Sequence, residues 1–405
     1  MTNNPFQHSF KPDSSSSWRN RVEKELKEKE YKEFLHWKSI NGFDIESWQS
    51  SVPQPRVRLQ PLKSAWKIIE PIYSQNAQKA NELALKSLMN GAEGIWYSKN
   101  YLGAAAEVVR SGIDEKVAPV FINDSTHIDI YRPLLKSSLK ANFEEHNQPI
   151  LLNGLRPRER GASIIDEVAI LVSQGLESLR KDRKPDSILF YTGVGSEYLT
   201  EIAKIRSLRW LWSSILKNEG YEAENPQIFA VNLSNSYSVN DPYTNNLRAT
   251  SAAMSSIIGG AQFVMIEPWD KTSLPENESS QRMSRNIQTL LKEEAKLDKT
   301  LNPSDGSFFI ENLTLTISSK VWDQVQTIEK CGGFIEFALS GKLRAQIETN
   351  RNILLESYLN SKKTLLGVNK YRPEKVISEI GNSHSRYDLL PDYLHIAKEI
   401  QDSRL

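Results

Sequence analysis

Short apolar runs alternate with helical patterns along most of this 405-residue chain, and no other feature constrains the fold as much. Strand-like runs occur at 66–72, 94–98, 117–123, 149–153, 187–191, 227–233, 262–266 and 364–369. Helical patterns separate nearly all of them, as at 77–89, 164–180, 250–258, 278–296 and 316–329. Such βα units in series, joined by right-handed crossovers, predict a (β/α)8 TIM-type barrel of the α/β class. A doubly wound open sheet is the alternative. The short link between the second and third runs predicts a trimmed front half.

The clearest unit is 186–220. Residues 187–191 read as a strand buried on both faces. Gly193 and Gly195 permit a sharp turn, and Ser196 is placed to cap the next helix. Leu199, Ile202, Ile205, Leu208, Trp212 and Ile215 then form a stripe for a sheet, leaving Glu197, Lys204 and Lys217 to water. The glycine turn reads as a tight crossover before it reads as an anion cradle.

Lys+Arg 51 against Asp+Glu 50 leaves a net charge of +1, so no global field attracts nucleic acid or an anionic membrane. The single cysteine, Cys331, rules out an internal disulfide framework and reads as an inert small hydrophobe. No apolar run approaches a membrane span, and the N-terminus lacks a signal-peptide core, so the expected location is cytoplasmic. The domain reading is an N-terminal arm over 1–60, the barrel over 61–371 and a helical tail over 372–405. In the arm, a loose polar start precedes a charged helix over 18–37 and a proline-rich connector over 51–61.

Several motifs stand in order: GVGSEYLTEIAKIRSLRWLW (193–212), DPYTNNLRATSAAM with IIGGAQ (241–262), SQRMSRNIQTLLKEE (280–294), NPSDGSFFIENLT (302–314) and GVNKY (367–371). Together they resemble the substrate barrel of methylmalonyl-CoA mutases, adenosylcobalamin-dependent acyl-CoA isomerases, over 149–371. The start WRNRVEKELKEKEYKEFLHW (18–37) is similar to that of the small, or beta, subunit of the heterodimeric bacterial form. The resemblance implies a barrel whose C-terminal face holds an acyl-CoA, with the CoA arm along the axis. It also implies cobalamin on a separate flavodoxin-like domain, which supplies the radical chemistry.

The chain departs from that pattern in three places. The family's cobalamin histidine lies in D-x-H-x-x-G, and none of His8, His36, His127, His146, His384 or His395 does. Catalytic members carry G-Y-H-x-Q-E-x-G-A, whose histidine contacts the thioester carbonyl. Here the frame reads GLRPRERGA (154–162): Leu155 and Arg156 replace the tyrosine and histidine, Arg158 replaces the glutamine, and Glu159 keeps its place. A permanently charged guanidinium cannot relay a proton as imidazole does. The family's R-T-H-x-Q-T-S-G-W-S run is replaced by IFAVNLSNSYS (228–238), and the P-Y-T-R-G-P-Y segment has no counterpart.

The resemblance with these losses implies a non-catalytic beta subunit, without cobalamin of its own, that stabilises a larger catalytic subunit carrying adenosylcobalamin. An acyl-CoA is a further candidate partner. The alternatives are a substrate-barrel chain that uses a separate cobalamin subunit, and an acyl-CoA-binding sensor. Candidates for a vestigial acyl-CoA pocket are Arg156, Glu159, Tyr191, Asn235, Tyr237, Arg282 and Arg285, with no catalytic residue and no metal site expected. The structural readings beside them are pairing of Arg156, Arg158 and Arg160 with Glu159 and Asp166, rim or core packing of the tyrosines, and a scaffold role for SQRMSRN. Asp241 and Arg248 are expected to tie a loop to a helix start.

Overall fold

The computed structural model describes residues 14–27, 31, 35–39, 41–49, 51, 57–98, 101, 103–122, 150–222, 224–271, 277–372 and 394–402. The polar start over 1–13, most of the 372–405 tail, and His8, His127, His146 and His384 lie outside them.

Within the expected 18–37 helix the described residues are helical at 18–26 and again at Tyr31 and Leu35, and only Lys27, in a turn, and His36 and Trp37, in a strand, are not. Helix α1 (Ser15–Leu26) is capped by the Ser14 side chain and buries none of its residues. The chain then turns into an antiparallel pair, β1 (His36–Lys38) and β2 (Asp44–Glu46). Phe43 and Ile45 are buried in the main core.

The main sheet is parallel and contains β3 (Lys67–Ile72), β4 (Gly94–Tyr97), β5 (Val120–Ile122), β6 (Ile150–Asn153), β7 (Ile188–Val194), β8 (Gln227–Asn232) and β9 (Phe263–Met265). Its order is β5-β4-β3-β9-β8-β7-β6. Chain neighbours pair except β5 and β6, which form the two edges of the described sheet, and the first strand of the sheet pairs with the last, β3 with β9. That is the curled order of a TIM-type barrel and not of an open doubly wound sheet. The eighth expected strand, 364–369, is a turn with one isolated bridge, Leu366 to Lys370. Asn369 explains it: its side chain accepts from the Leu365 amide and donates to the Tyr358 and Lys363 carbonyls, drawing the segment into a loop. Arg248 donates to the Leu366 carbonyl at 2.5 Å, tying this loop to the helix after β8 as expected.

Helices α2 (Ala77–Met89), α3 (Ala104–Arg110), α4 (Leu155–Glu159), α5 (Ile164–Leu179), α6 (Tyr198–Asn218), α7 (Pro242–Gly259), α8 (Glu278–Glu293), α9 (Phe308–Lys330), α10 (Phe334–Leu339), α11 (Lys342–Leu359) and α12 (Ile396–Asp402) surround it. Two cores result. Ile68, Val168, Phe190, Ile205 and Trp212 fill the layer between sheet and helices. Ile69, Trp96, Tyr191, Phe229 and Met265 fill the inside of the barrel. Close packing of α5 on α6 depends on Gly175, where a Cβ would come within 2.5 Å of the Trp212 ring.

Helix α6 differs from its sequence reading. Ser196 does not cap it; Glu197 occupies the N-cap without a side-chain bond to the helix. Lys204 does not face water but is 1% exposed, and Glu197 is held by Lys363 at 2.5 Å. Lys204 turns under α6, where its ammonium meets Glu167 of α5 and the Gly193 carbonyl of β7, while α9 packs across the outer side of α6 and α5. Periodicity reports one buried stripe and cannot register a second layer. Among the described residues no helix is long and apolar enough to cross a membrane.

Candidate functional site at the barrel mouth

In this architecture side chains that follow the C-terminal ends of the strands converge on one mouth. Here those ends present Tyr73 after β3, Arg156 and Glu159 on α4 after β6, Tyr191 on β7, Asn232 and Tyr237 at the end of β8, and Glu267 and Lys271 after β9. Glu267 is the hub. Its carboxylate accepts from the Tyr73 hydroxyl and from Lys271 Nζ at 2.5 Å. Its amide donates to Asn232 Oδ1 at 2.7 Å, and its carbonyl accepts from the Tyr237 hydroxyl at 3.3 Å. Asn232 closes the ring by donating to the Tyr237 oxygen at 2.5 Å.

Burial, reinforced by the Glu267 charge, pushes the Tyr73, Tyr191 and Tyr237 hydroxyls up from the ordinary tyrosine range. They are therefore protonated donors at neutral pH. Burial also raises Glu159, against the opposing pull of Lys271 and Arg160. For Lys271 burial works the other way, but Glu267 and Glu159 outweigh it and hold the ammonium above its usual range. The cluster donates hydrogen bonds and balances charge. It offers neither a tyrosinate nor a neutral amine as a base.

Below the mouth the barrel axis is filled by rings. Trp96 stacks on Tyr191 with centroids 5.1 Å apart, and Phe229 meets Trp96 edge-on at 5.3 Å. Phe121 bridges Phe229 and Phe263 at 4.9 and 5.4 Å. Any arm threaded along the axis would have to displace these side chains.

Beside the mouth lies a four-membered ionic cluster. Lys204 Nζ is 2.9 Å from Glu167 and 2.7 Å from Glu201, and Arg158 reaches Glu201 at 3.1 Å and Glu167 at 3.3 Å. Arg158 thus pairs with these two acids, whereas Asp166 is taken by the Ser163 capping box. The amides of Gly193 and Gly195 donate to Glu167 and Glu201 at 2.7 and 2.9 Å. The glycine turn does cradle anions, but they are the chain's own carboxylates. Burial would raise Glu201, yet Lys204 and Arg158 outweigh it and hold the carboxyl below its ordinary value.

Of the seven candidates, Arg156, Glu159, Tyr191, Asn235 and Tyr237 come together at the mouth. Arg282 and Arg285 do not. Arg282 is exposed on α8. Arg285 lies between helix and sheet, pairing with Glu70 of β3 at 2.5 Å, and Glu70 also accepts from Ser87 of α2 at 2.9 Å. Glu70, on the outward face of β3, draws the arginine away from the axis. Sequence reasoning missed Tyr73, Glu267 and Lys271. Two of them had a signal, since Tyr73 and Glu267 directly follow expected strands. Among the described residues no group of histidine, cysteine and carboxylate side chains could hold a metal ion.

The sequence matches the methylmalonyl-CoA mutase family over residues 138–388. It is 26% identical to the methylmalonyl-CoA mutase small subunit of Porphyromonas gingivalis, covering 89% of this chain and 70% of that one. To the large subunit of the same organism it is 27% identical, covering 70% of this chain and 42% of the relative. To the mitochondrial methylmalonyl-CoA mutase of Bos taurus it is 29% identical, covering 61% and 34%. The chain therefore spans most of the small subunit but less than half of these other two relatives.

Proposed function

The chain belongs to the methylmalonyl-CoA mutase family, and on that premise we propose that it is the non-catalytic beta subunit of a heterodimeric, adenosylcobalamin-dependent mutase. The complex would interconvert methylmalonyl-CoA and succinyl-CoA in the cytoplasm. Cobalamin would reside on the larger partner and supply the radical chemistry, while this chain stabilises that partner. The observation that carries the reading is the filled axis: Trp96, Phe121, Tyr191, Phe229 and Phe263 occupy the space an axial CoA arm would need. The replacement of an imidazole by Arg156 at the mouth supports it, because a guanidinium stays protonated. Similarity to both a small and a large subunit of one organism fits a pair of homologous chains.

The test is an affinity purification of the tagged chain from its native cells, followed by mass identification and an activity assay. The expected outcome is equal recovery of a larger homologue, with turnover that needs both chains. Saturable acyl-CoA binding by the isolated chain would favour a sensor and overturn the proposal. So would activity with only a small cobalamin-binding protein.

A further inference from the structure

The end of the described chain lies across the barrel mouth. The Leu394 amide donates to the Glu159 carbonyl at 3.0 Å, and the Ile396 amide donates to the Asn235 carbonyl at 2.9 Å. Glu159 ends the short helix α4 after β6 and Asn235 belongs to the loop after β8, so residues 394–396 bridge two segments of the mouth past the end of β7 between them. Leu394, Ile396, Ala397 and Ile400 are buried, at 0%, 4%, 2% and 0% exposure. They pack on Leu354 and Tyr358 of α11 and on Leu365 and Val368 of the loop that follows. Arg351 of α11 holds Glu399 at 3.1 Å.

These contacts form a cluster separate from both barrel cores. An element held by a small satellite cluster and two rim hydrogen bonds opens at lower free energy than the core strands. The same two bonds hold the backbone of Glu159, whose side chain belongs to the mouth's charge cluster, and of Asn235, two residues before Tyr237.

We propose that residues 394–402 are a detachable strap that closes the barrel mouth in cis, and that the groove between α11 and the 364–369 loop is a docking site for this apolar segment. Docking orders the loops after β6 and β8; release frees them. The inference rests on geometry alone and stands whether or not the chain is a mutase subunit.

The test uses the full chain with Leu394→Asp and, separately, Ile400→Asp, each placing a carboxylate in a fully buried site where it cannot remain. Hydrogen–deuterium exchange is read by mass spectrometry. In both variants the segments 154–162 and 233–240 should exchange about tenfold faster or more, while 310–328 of α9 stays unchanged. A synthetic peptide of residues 390–405 added to either variant should restore protection at both loops. Unchanged exchange at the mouth overturns the proposal. Exchange raised throughout the barrel also overturns it, because the segment would then be part of the core, and so does failure of the peptide to restore protection.

Discussion

Lys204→Met removes the cation shared by Glu167 and Glu201 while nearly preserving side-chain length. At the observed separations each pairing has a gross Coulomb energy of about 6 kcal/mol in a medium of effective dielectric near 20, largely offset by desolvation in the native cluster. The variant keeps the desolvation of both carboxylates, which are at most 1% exposed, and leaves Arg158 alone to balance them. Breaking such a buried set costs about 3–5 kcal/mol. The loss of the Lys204 bond to the Gly193 carbonyl adds to it. Against a typical total of about 5–15 kcal/mol, urea unfolding should shift strongly to lower denaturant. In the parent, Glu201 is held below its ordinary value, so its contribution is present above the unfolded carboxyl pKa and is lost as pH falls through the folded one. In the variant a proton can replace the missing cation. The deficit should therefore shrink by roughly 1 kcal/mol per pH unit toward acid, the slope of one linked proton. The exposed Lys217→Met is the control, expected within about 0.5 kcal/mol of the parent. A Lys204→Met deficit below about 1 kcal/mol, or one that does not change with pH, would refute the reasoning.

Phe229→Ala should cost about 3–5 kcal/mol and leave a dry apolar cavity in the barrel axis, so benzene should raise the melting temperature of the variant and not of the parent. Gly175→Ala forces a methyl onto the Trp212 ring, which Phe190 backs at 5.0 Å; thermal melts should show a net loss of about 1–2 kcal/mol despite the better helix former. Arg285→Met strands the Glu70 carboxylate between sheet and helix, so the variant should unfold at lower urea, with a smaller deficit in acid than at neutral pH. In an ultraviolet pH titration of the folded chain, Tyr73, Tyr97, Tyr191 and Tyr237 should stay un-ionised where ordinary tyrosines titrate, near pH 10, and appear only on unfolding.

Most of the barrel was legible because each of its strands is a short apolar run, and the expected 77–89 helix coincides with α2. What the sequence hid was the distant partner of each side chain. Lys204 looks solvent-facing until the buried Glu167 of α5 and the Gly193 carbonyl take its ammonium, and 364–369 looks like a strand until the Asn369 side chain ties it into a turn. At the site, the cluster around Glu159, Tyr191 and Tyr237 was legible through motif position. Lys271 was not, because it lies in an irregular stretch after β9 and reaches Glu267 only through the fold. Arg285 was assigned from its motif, and Glu70, more than two hundred residues earlier, decides where it points.

Those placements bear on what the family likeness means. Several charged residues in the motifs that carry it hold the scaffold together. Glu201 and Lys204 belong to the ionic cluster under the glycine turn. Arg206 pairs with Glu311 of the NPSDGSFFIENLT stretch at 2.7 Å, linking α6 to α9. Arg209 anchors the connector through the Gln60 carbonyl at 2.8 Å. Two of the positions that depart from the family pattern lie elsewhere: Leu155 packs in the core inside the barrel, and Arg156 stands at the mouth. Arg158, the third replacement, has become the second cation of the buried cluster and makes its charge neutral, two acids against two bases. A chain under pressure only to keep this barrel would retain the first set and be free to change the second. The family likeness therefore reports the scaffold, and the chemistry has to be judged from the mouth and the axis alone.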